Sequence, residues 1–373
     1  MKRPWASTGL NSGEFCPGCP DSAQREFLGL PVRSCIVWFL GCAVLLLTQA
    51  AGAADEGEAS TPATVRHAAM GTEFVFILYP PSADMQDEEV MHLTETAFDA
   101  IDQLERHIST WIPDSDVSRL NQRAAEGPVA VKTDLLEVLL SARRYYEESE
   151  GVFDVTVGPL LDLWGFYKGR GHLPTEEEMK EALAKVGLSK VIIDEKAETV
   201  RFTRSGMRLD FGGIGKGLAL DRAAQILKQQ GVKRALLHAG TSTVVGLGKP
   251  PEASGWTVRI RSPYNESREH VDEVQISNES LSTSSSSEQF MELDGKKYSH
   301  IFDPRTGMPV EQEILSATAI AATGAQSDAL STAFFVMGLE KTRSYCKAHP
   351  EVRAILVVPD GDGLKPVRIN FPS

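Results

Sequence analysis

The sequence predicts an α+β protein, built from largely antiparallel sheets packed with helices. In the second half of the chain, strand-like apolar runs follow one another directly, which favours antiparallel pairing. Segments with helical spacing are interspersed irregularly, and they do not alternate with strands as a parallel βαβ sheet requires. The chain has 373 residues, 42% hydrophobic and 24% charged, which is enough for one large globular domain with a sizeable core.

Helical spacing of apolar residues, together with capping boxes and closing glycines, predicts the main helices. The predicted helices are Val90–Ile108, Asp134–Glu148, one opened by the capping box Thr175–Glu178 and closed by Gly187, Lys216–Gln229 before Gly231, and a last one running to Gly338. Short apolar runs predict strands at Phe74–Leu78, Val191–Ile193, Val200–Phe202, Ala235–Leu237, Trp256–Ile260, Val274–Leu281, Tyr298–Phe302, Leu315–Ala322 and Ala354–Val358. The serine run Ser284–Ser287 is predicted to be a loop.

Residues 1–53 are predicted to be a leader and secretory signal. An apolar run from Ile36 to Leu47 follows Arg33 and precedes small residues, with a cleavage site after Ala53. The alternative is an uncleaved membrane anchor through residues 34–54, for which the apolar run is short. Residues 54–64 predict a flexible linker, so the folded domain is expected to cover 65–373.

The predicted exported portion is acidic. The whole chain carries −13, and four basic and three acidic residues give the leader +1, so the remainder carries −14. An acidic surface argues against nucleic acid or an anionic membrane as the main partner. Four of the five cysteines lie in the leader, so the exported portion retains only Cys346 and no intrachain disulfide is expected there.

The most informative segment runs from Ala325 to Ala333, where a helical pattern follows a strand-like run. Asp328 and Thr332 are four residues apart, so on a helix their oxygens lie on one face, one turn apart. A carboxylate and a hydroxyl make a hard-oxygen half-site suited to Mg²⁺, which keeps waters and accepts substrate phosphate as a further ligand. The alternative for this pattern alone is a helix cap on an exposed turn.

A glycine-rich loop, Leu209–Gly217, precedes the predicted helix at Lys216. Its glycines allow close backbone approach to a ligand, and the helix start presents N–H groups to anions. The loop matches neither a P-loop, since Gly217 stands where Ser or Thr is needed, nor the dinucleotide fingerprint. A tight turn explains the glycines, but it requires neither Asp210 nor Lys216.

Two further segments carry candidate residues. His300 lies two residues before the turn Asp303–Gly307, where an imidazole can act as a general base at neutral pH, although a lone histidine is more often structural. The segment Gly151–Pro159 combines aromatic residues with one acid, which fits either a core turn or the wall of a site for a flat ligand.

Six motifs, taken in their order along the chain, resemble the FAD:protein FMN transferase (ApbE) family over about residues 66–360. The resemblance rests on six motifs: Met70-Gly71-Thr72; Ser109-Thr110-Trp111 followed by Ser115 and Asn121; Phe153-Asp154-x-Thr156-Val157-Gly158-Pro159; Asp210-x-Gly212-Gly213-Ile214-x-Lys216-Gly217; His300-x-x-Asp303-Pro304-x-Thr306-Gly307; and Asp328-Ala329-Leu330-Ser331-Thr332. It implies a single, T-fold-related catalytic domain over residues 65–373 in an exported, periplasmic enzyme.

The implied reaction is Mg²⁺-dependent. FMN from FAD would be attached through a phosphoester to a threonine or serine hydroxyl of a membrane redox-complex subunit, with release of AMP. The resemblance gives His300 the role of base. It gives metal-binding roles to Asp328, Thr332, the Gly213 carbonyl and neighbouring Ser331, and FAD contacts to Met70, Trp111, Val152, Phe153, Asp154, Asp210, Lys216 and Phe302.

Some positions depart from the family pattern. Ala239-Gly240-Thr241-Ser242 stands where many members have two glycines and an acid, and the segment Thr283–Ser287 replaces a frequent Thr-Ser-Gly. Neither change removes a proposed metal or base position. Two alternatives use the same residues: hydrolysis of FAD to FMN and AMP, and an exported flavin-binding protein without chemistry.

Overall fold

The structure, a computed structural model, describes residues 61–82, 84–167, 171–264, 270–286, 290–293, 295–311, 314–361 and 363–372. The predicted leader and signal lie outside the described residues, as does most of the predicted linker. The first strand begins at Ala63, so the last two residues of that linker belong to the sheet. Within the described ranges, every helix is too short or too polar to cross a bilayer.

Strands and helices are interspersed along the described chain. The strands are β1 (Ala63–Ala69), β2 (Thr72–Tyr79), β3 (Val129–Ala130), β4 (Val191–Asp194), β5 (Thr199–Phe202), β6 (Arg234–Ala239), β7 (Thr243–Leu247), β8 (Trp256–Arg261), β9 (His270–Ile276), β10 (Ser280–Ser285), β11 (Phe290–Leu293), β12 (Lys296–Ser299), β13 (Ser316–Ala321), β14 (Arg353–Asp360) and β15 (Gly363–Ile369). The α-helices are α1 (Asp87–Ile108), α2 (Asp116–Arg123), α3 (Thr133–Glu148), α4 (Gly158–Leu163), α5 (Glu176–Leu183), α6 (Gly215–Gln229), α7 (Gly324–Met337) and α8 (Leu339–Ala348).

An eight-stranded sheet organises the domain, in the order β1-β2-β6-β7-β10-β13-β14-β15. Each neighbouring pair in it is antiparallel. The smaller sheets, β3-β5-β4, β8-β9 and β11-β12, are antiparallel as well. The predicted α+β class with largely antiparallel sheets is therefore confirmed.

The central strand β13 is buried along its whole length because both of its faces are covered. Ala317 and Ala319 pack in one apolar cluster with Leu330 and Phe334 of α7. On the opposite face, Ile320 joins a cluster that contains residues of the β8-β9 hairpin. Small residues toward α7 let this helix approach the sheet closely, which brings its polar side chains near the strands.

Helices α6 and α7 cross with their backbones in near contact. A Cβ added at Gly217 would lie well under 3.0 Å from the carbonyl of Gly324, so only glycine fits this crossing. The Asp221 carboxylate of α6 accepts hydrogen bonds from the N–H groups of Gly324 (2.6 Å) and Ala325 (2.9 Å), at the start of α7. Burial raises the pKa of Asp221, while these two donors act in the opposite direction. This capping interaction fixes α7 relative to α6.

Helix predictions agree with the structure better than strand predictions do. Helix α1 contains the predicted Val90–Ile108 helix, α3 and α6 match to within a residue, and α7 ends at Met337, before Gly338. The capping box at Thr175 is present, but α5 ends at Leu183 and not near Gly187.

Three strand predictions were wrong in detail. The predicted strand Val274–Leu281 is two strands, β9 and β10, separated by a turn in which Asn278 has a positive φ of 54°. Ser284 and Ser285, predicted to be in a loop, belong to β10, where they pair with Ala317 and Ser316 of β13. The strand expected at Tyr298–Phe302 ends at Ser299, and Phe302 makes only an isolated bridge to Pro309.

The α6–α7 crossing gives the first prediction. Gly217→Ala is expected to lower the free energy of unfolding by about 1–3 kcal/mol, because the new methyl group forces the two backbones apart. Urea unfolding followed by circular dichroism measures the change. Gly127→Ala is the matched control, since a Cβ there meets nothing within 4 Å, and it should change stability by less than about 1 kcal/mol. Equal unfolding midpoints for the two variants would contradict the prediction.

Candidate active site

One cleft of about 840 Å³ lies where the glycine-rich loop, α7 and the chain after β12 meet. Twelve of the thirteen predicted site residues line it: Met70, Trp111, Val152, Phe153, Asp154, Asp210, Gly213, Lys216, His300, Phe302, Asp328 and Thr332. The exception is Ser331, a fully buried residue of α7. Residues from six separate segments thus converge on a cavity of the size that binds small ligands.

Asp328 is 4% exposed, and three neutral donors hold its carboxylate. Its Oδ2 accepts from the backbone N–H of Gly217 at 2.9 Å. Its Oδ1 accepts from the hydroxyls of Ser282 at 3.0 Å and Thr243 at 3.2 Å. A carboxylate has about four acceptor positions, so three donors leave Oδ2 with capacity for one more partner.

Thr332 lies one turn further along α7, also on the cleft. Its Oγ1 contacts the Ser284 hydroxyl at 3.3 Å, and a Cβ added at Gly213 would lie 3.4 Å from it, so the loop backbone passes close by. Ser331 points toward β10, where its hydroxyl contacts Ser284 at 2.9 Å and donates to the Asp328 carbonyl at 2.9 Å. The structure therefore brings Asp328, Thr332 and Gly213 together, and it places Ser331 behind them.

This donor set fits Mg²⁺. A carboxylate, a hydroxyl and a backbone carbonyl are hard oxygen donors, and such a partial set suits a cation that also takes water and phosphate oxygens. Among the described residues, no group of three or more His, Cys, Asp or Glu side chains is placed to hold a metal ion.

Lys216 is on the first turn of α6 and reaches into the cleft. Its ammonium donates a hydrogen bond to the Ser242 hydroxyl, at the start of β7. No carboxylate of the described residues pairs with it, so its charge is not cancelled by a neighbouring acid. A cation in a partly closed cleft is a favourable position for an anionic ligand.

The Asp210 carboxylate accepts hydrogen bonds that hold the start of the glycine-rich loop. Its Oδ1 accepts from the Gly212 N–H at 2.9 Å, and its Oδ2 accepts from Thr110 at 3.0 Å and from the Tyr167 hydroxyl at 2.6 Å. Burial, followed by the nearby Asp210 charge, raises the pKa of Tyr167, so this phenol remains a donor. The Arg208 guanidinium lies 3.9 Å from the centre of the Tyr167 ring.

Asp154 lines the cleft, but its carboxylate oxygens accept hydrogen bonds from other residues of the protein. Oδ1 accepts from the N–H (2.8 Å) and the hydroxyl (2.6 Å) of Thr156, and Oδ2 accepts from the N–H of Leu188 at 3.2 Å. Burial raises the pKa of Asp154, and these hydrogen bonds oppose the shift. The carboxylate ties the Val152–Val155 wall to the chain before β4, so any ligand contact is additional to a structural role.

His300 lies in a bend directly after β12 and is half-buried at the cleft. Phe302 follows, and its ring packs against Trp164 (centroids 6.0 Å apart) and edge-on against Phe166 (5.8 Å). The Trp164 indole N–H donates to the Gly307 carbonyl at 3.3 Å, which anchors the turn whose positive φ of 74° requires glycine. The predicted turn is confirmed, and aromatic packing holds the segment that carries His300.

The rim of the cleft presents an exposed aromatic surface. Trp111 is 70% exposed and contacts Tyr167 edge-on, with ring centroids 5.7 Å apart. Across the rim, Met70 and Gly71 form the two-residue hairpin turn between β1 and β2, with φ of 50° and 69°, so Met70 is a turn residue and does not start a strand. Apolar side chains at a polar cleft suit a ligand with both flat rings and charged groups.

Sequence reasoning missed several site residues. Thr243 and Ser282 lie 85 and 46 positions before Asp328 in the sequence, and Tyr167 lies 43 positions before Asp210. The polar alternation of β10 (Ser280, Ser282, Ser284) was the available signal, because polar residues on a strand face indicate buried polar partners when the strand is central.

The Asn121 side chain of α2 bonds to both backbone groups of Leu209, as a neighbouring strand would. Its amide donates to the Leu209 carbonyl at 3.0 Å and accepts from the Leu209 N–H at 2.8 Å. Asn121→Ala is expected to lower the free energy of unfolding by about 1–3 kcal/mol, because both backbone groups lose their partner. Urea unfolding checks this, and exposed Gln122→Ala on the same helix should shift stability by less than about 0.5 kcal/mol. A stability change no larger than that of the control would refute this role.

Comparisons with known proteins identify the family to which the chain belongs. The chain matches the ApbE family over residues 70–356. It is 31% identical over 281 residues to the FAD:protein FMN transferase of Salmonella typhimurium, covering 74% of this chain and 79% of the relative. It is 31% identical over 344 residues to the FAD:protein FMN transferase of Treponema pallidum, covering 88% of this chain and 92% of the relative.

Solved structures show the same architecture. The flavin transferase ApbE from Vibrio cholerae superposes with a TM-score of 0.73 at 28% identity, over 83% of this chain and 97% of its own. The apo flavinyl transferase ApbE from Pseudomonas stutzeri gives 0.72 at 29% identity, over 83% and 94% of the two chains. On the extent of the family match and of these relatives, the chain belongs to the ApbE family.

Proposed function

We propose that this chain is an Mg²⁺-dependent FAD:protein FMN transferase that attaches FMN to a threonine or serine hydroxyl and releases AMP. The observation that carries the proposal is the convergence of Lys216, Asp328, Thr332 and His300 on one cleft with apolar walls. The curated relatives named as FAD:protein FMN transferases support the same reaction.

The cation would be held by Asp328, Thr332 and the Gly213 carbonyl, with substrate phosphate and water completing its coordination. When bound, Mg²⁺ neutralises charge on a diphosphate and polarises its phosphoryl oxygens. Lys216 adds a second positive charge in the cleft. The acidic chain can therefore hold an anionic dinucleotide through charges confined to this site.

The reaction balances as a displacement at phosphorus. The acceptor hydroxyl oxygen forms a bond to the FMN phosphorus of FAD, the bond from that phosphorus to the bridging oxygen breaks, and AMP leaves with the bridging oxygen. His300 takes the proton of the attacking hydroxyl. Because such transfers depend mainly on positioning and on stabilising charge, the protein needs to supply orientation, Lys216 and a base.

Aromatic side chains of the cleft would contact the flat rings of FAD. Trp111, Phe153 and Phe302 line the cleft and offer faces and edges to flat rings. Asp210 and Asp154 are already bonded within the protein, so they would act mainly by holding these walls in place.

The acceptor is proposed to be a subunit of a membrane redox complex that faces the same compartment. The sequence of residues 34–54, with its apolar run and small-residue flank, supports export to the periplasm, with cleavage after Ala53 or retention as an inner-membrane anchor. A net charge of −13 argues against nucleic acid as the partner.

The reaction is tested with residues 54–373, FAD, Mg²⁺ and an acceptor domain that carries a threonine flavinylation site. We expect the mass of FMN to appear on the acceptor together with an equal amount of AMP, and both to be lost with excess chelator or in Asp328→Ala. Intact-mass spectrometry and an AMP assay measure the two products. AMP without acceptor modification would favour FAD hydrolysis, and FAD binding with neither product would favour a binding protein.

The base assignment gives a separate prediction. His300→Ala is expected to lower the transfer rate by about 100-fold or more while FAD affinity stays near the wild-type value, because a general base contributes to the step and not to binding. Transfer rates and FAD titrations of the wild type and the variant at neutral pH measure the two quantities. Exposed His92→Ala is the control. Unchanged transfer by His300→Ala across neutral pH would eliminate this role.

A further inference from the structure

A continuous chain of hydroxyl groups connects the two charged groups of the cleft. The Lys216 ammonium donates to the Ser242 hydroxyl, which lies 3.4 Å from the hydroxyl of Thr243. The Thr243 hydroxyl lies 3.2 Å from Oδ1 of Asp328 and 3.1 Å from the hydroxyl of Ser282. Ser282 donates to the same carboxylate oxygen at 3.0 Å. The Lys216 ammonium therefore lies at one end of this series of hydroxyl groups, and the Asp328 carboxylate lies at the other.

One arrangement of protons satisfies the whole chain. The Lys216 ammonium has only donors, so the Ser242 oxygen must accept from it and its proton is free to point to Thr243. Thr243 then donates to Asp328, and Ser282 donates to Asp328 independently. Each hydroxyl donates once, and the dipoles point from the cation toward the anion. Hydrogen bonds aligned in this way polarise one another and strengthen the chain.

Thr243 and Ser282 act from behind the cleft. Both are fully buried, and they face each other as partners on adjacent strands β7 and β10. Neither residue lines the cleft, whereas Ser242, Lys216 and Asp328 do. They therefore have no direct access to a ligand, and an effect on the site must pass through Asp328 or, for Thr243, also through Ser242.

We propose that Thr243 and Ser282 are positioning residues that orient the Asp328 carboxylate for a divalent cation, and that Thr243 with Ser242 couples this carboxylate to Lys216. Without them, Asp328 would keep only the Gly217 N–H on Oδ2, and its Oδ1 would be buried without a donor. The inference deepens the proposed function, since it rests on Asp328 being a cation ligand.

The strand itself provides matched controls. Ser280 is fully buried on the same face of β10, one pleat away, but its hydroxyl bonds to Ser327 at 2.7 Å and to the Val244 carbonyl at 2.8 Å. Thr318 on β13 is equally buried and bonds to Thr283 at 2.8 Å. Ser280→Ala and Thr318→Val remove hydroxyls of the same kind without touching Asp328.

The test is a titration of exported-portion protein (residues 54–373) with Mn²⁺, followed by electron paramagnetic resonance, with Asp328→Ala as the blank for this site. We expect Thr243→Val and Ser282→Ala each to raise the Mn²⁺ dissociation constant by about 10-fold or more. Thr243→Ser, which keeps the hydroxyl, should restore binding to within about 3-fold of wild type. The two controls should bind like wild type, and thermal unfolding confirms that each variant is folded.

The outcomes distinguish failure of the positioning roles from failure of the cation site. Wild-type affinity in Thr243→Val and Ser282→Ala overturns the positioning roles and leaves the proposed cation site intact. Equal losses in Ser280→Ala and Thr318→Val also overturn them, because the effect would then come from the packing of the layer. Wild-type protein that binds Mn²⁺ no better than Asp328→Ala overturns the cation site, and the inference with it.

Discussion

The hydrogen bond from the Gly217 backbone to the buried Asp328 carboxylate is the contact on which the site depends. It joins the first turn of α6 to the middle of α7 at 2.9 Å, at a crossing where only glycine fits at position 217. Asp221 reinforces the same crossing by capping the start of α7. Because Lys216 precedes Gly217 in the chain, this single crossing fixes the positions of the Lys216 ammonium and the Asp328 carboxylate together.

A buried carboxylate also explains the composition of the strands beneath it. Removing an ionised group from water is costly unless donors replace the lost hydration, and here the donors are one backbone N–H and two hydroxyls. The serines of β10 would be poor residues for a central strand by propensity alone. Against α7 they bond to Ser327, Asp328 and Ser331, so packing and polar satisfaction override local preference.

Local signals predicted the elements that carry the main groups, and distant contacts set the rest. The spacing in α1, the glycine before α6 and the helix after β13 could be read directly. Of the thirteen site residues predicted with the family resemblance, twelve line the cleft. The end of β10 was predicted to be a loop because Ser284 and Ser285 lack the apolar residues that mark a strand. Asn121, Tyr167 and Thr243 gain their roles from partners 43 to 88 positions away, which no local pattern encodes.

In the proposed function, Lys216 and Asp328 form a diphosphate site, and the apolar walls recognise the flavin separately. Fluorescence titrations that compare FAD with riboflavin, in wild type and Lys216→Ala with Mg²⁺ present, test this directly. We expect Lys216→Ala to weaken FAD binding by about 10-fold or more and to leave riboflavin binding unchanged, because riboflavin has no phosphate. Equal loss of both ligands, or loss of neither, would contradict it.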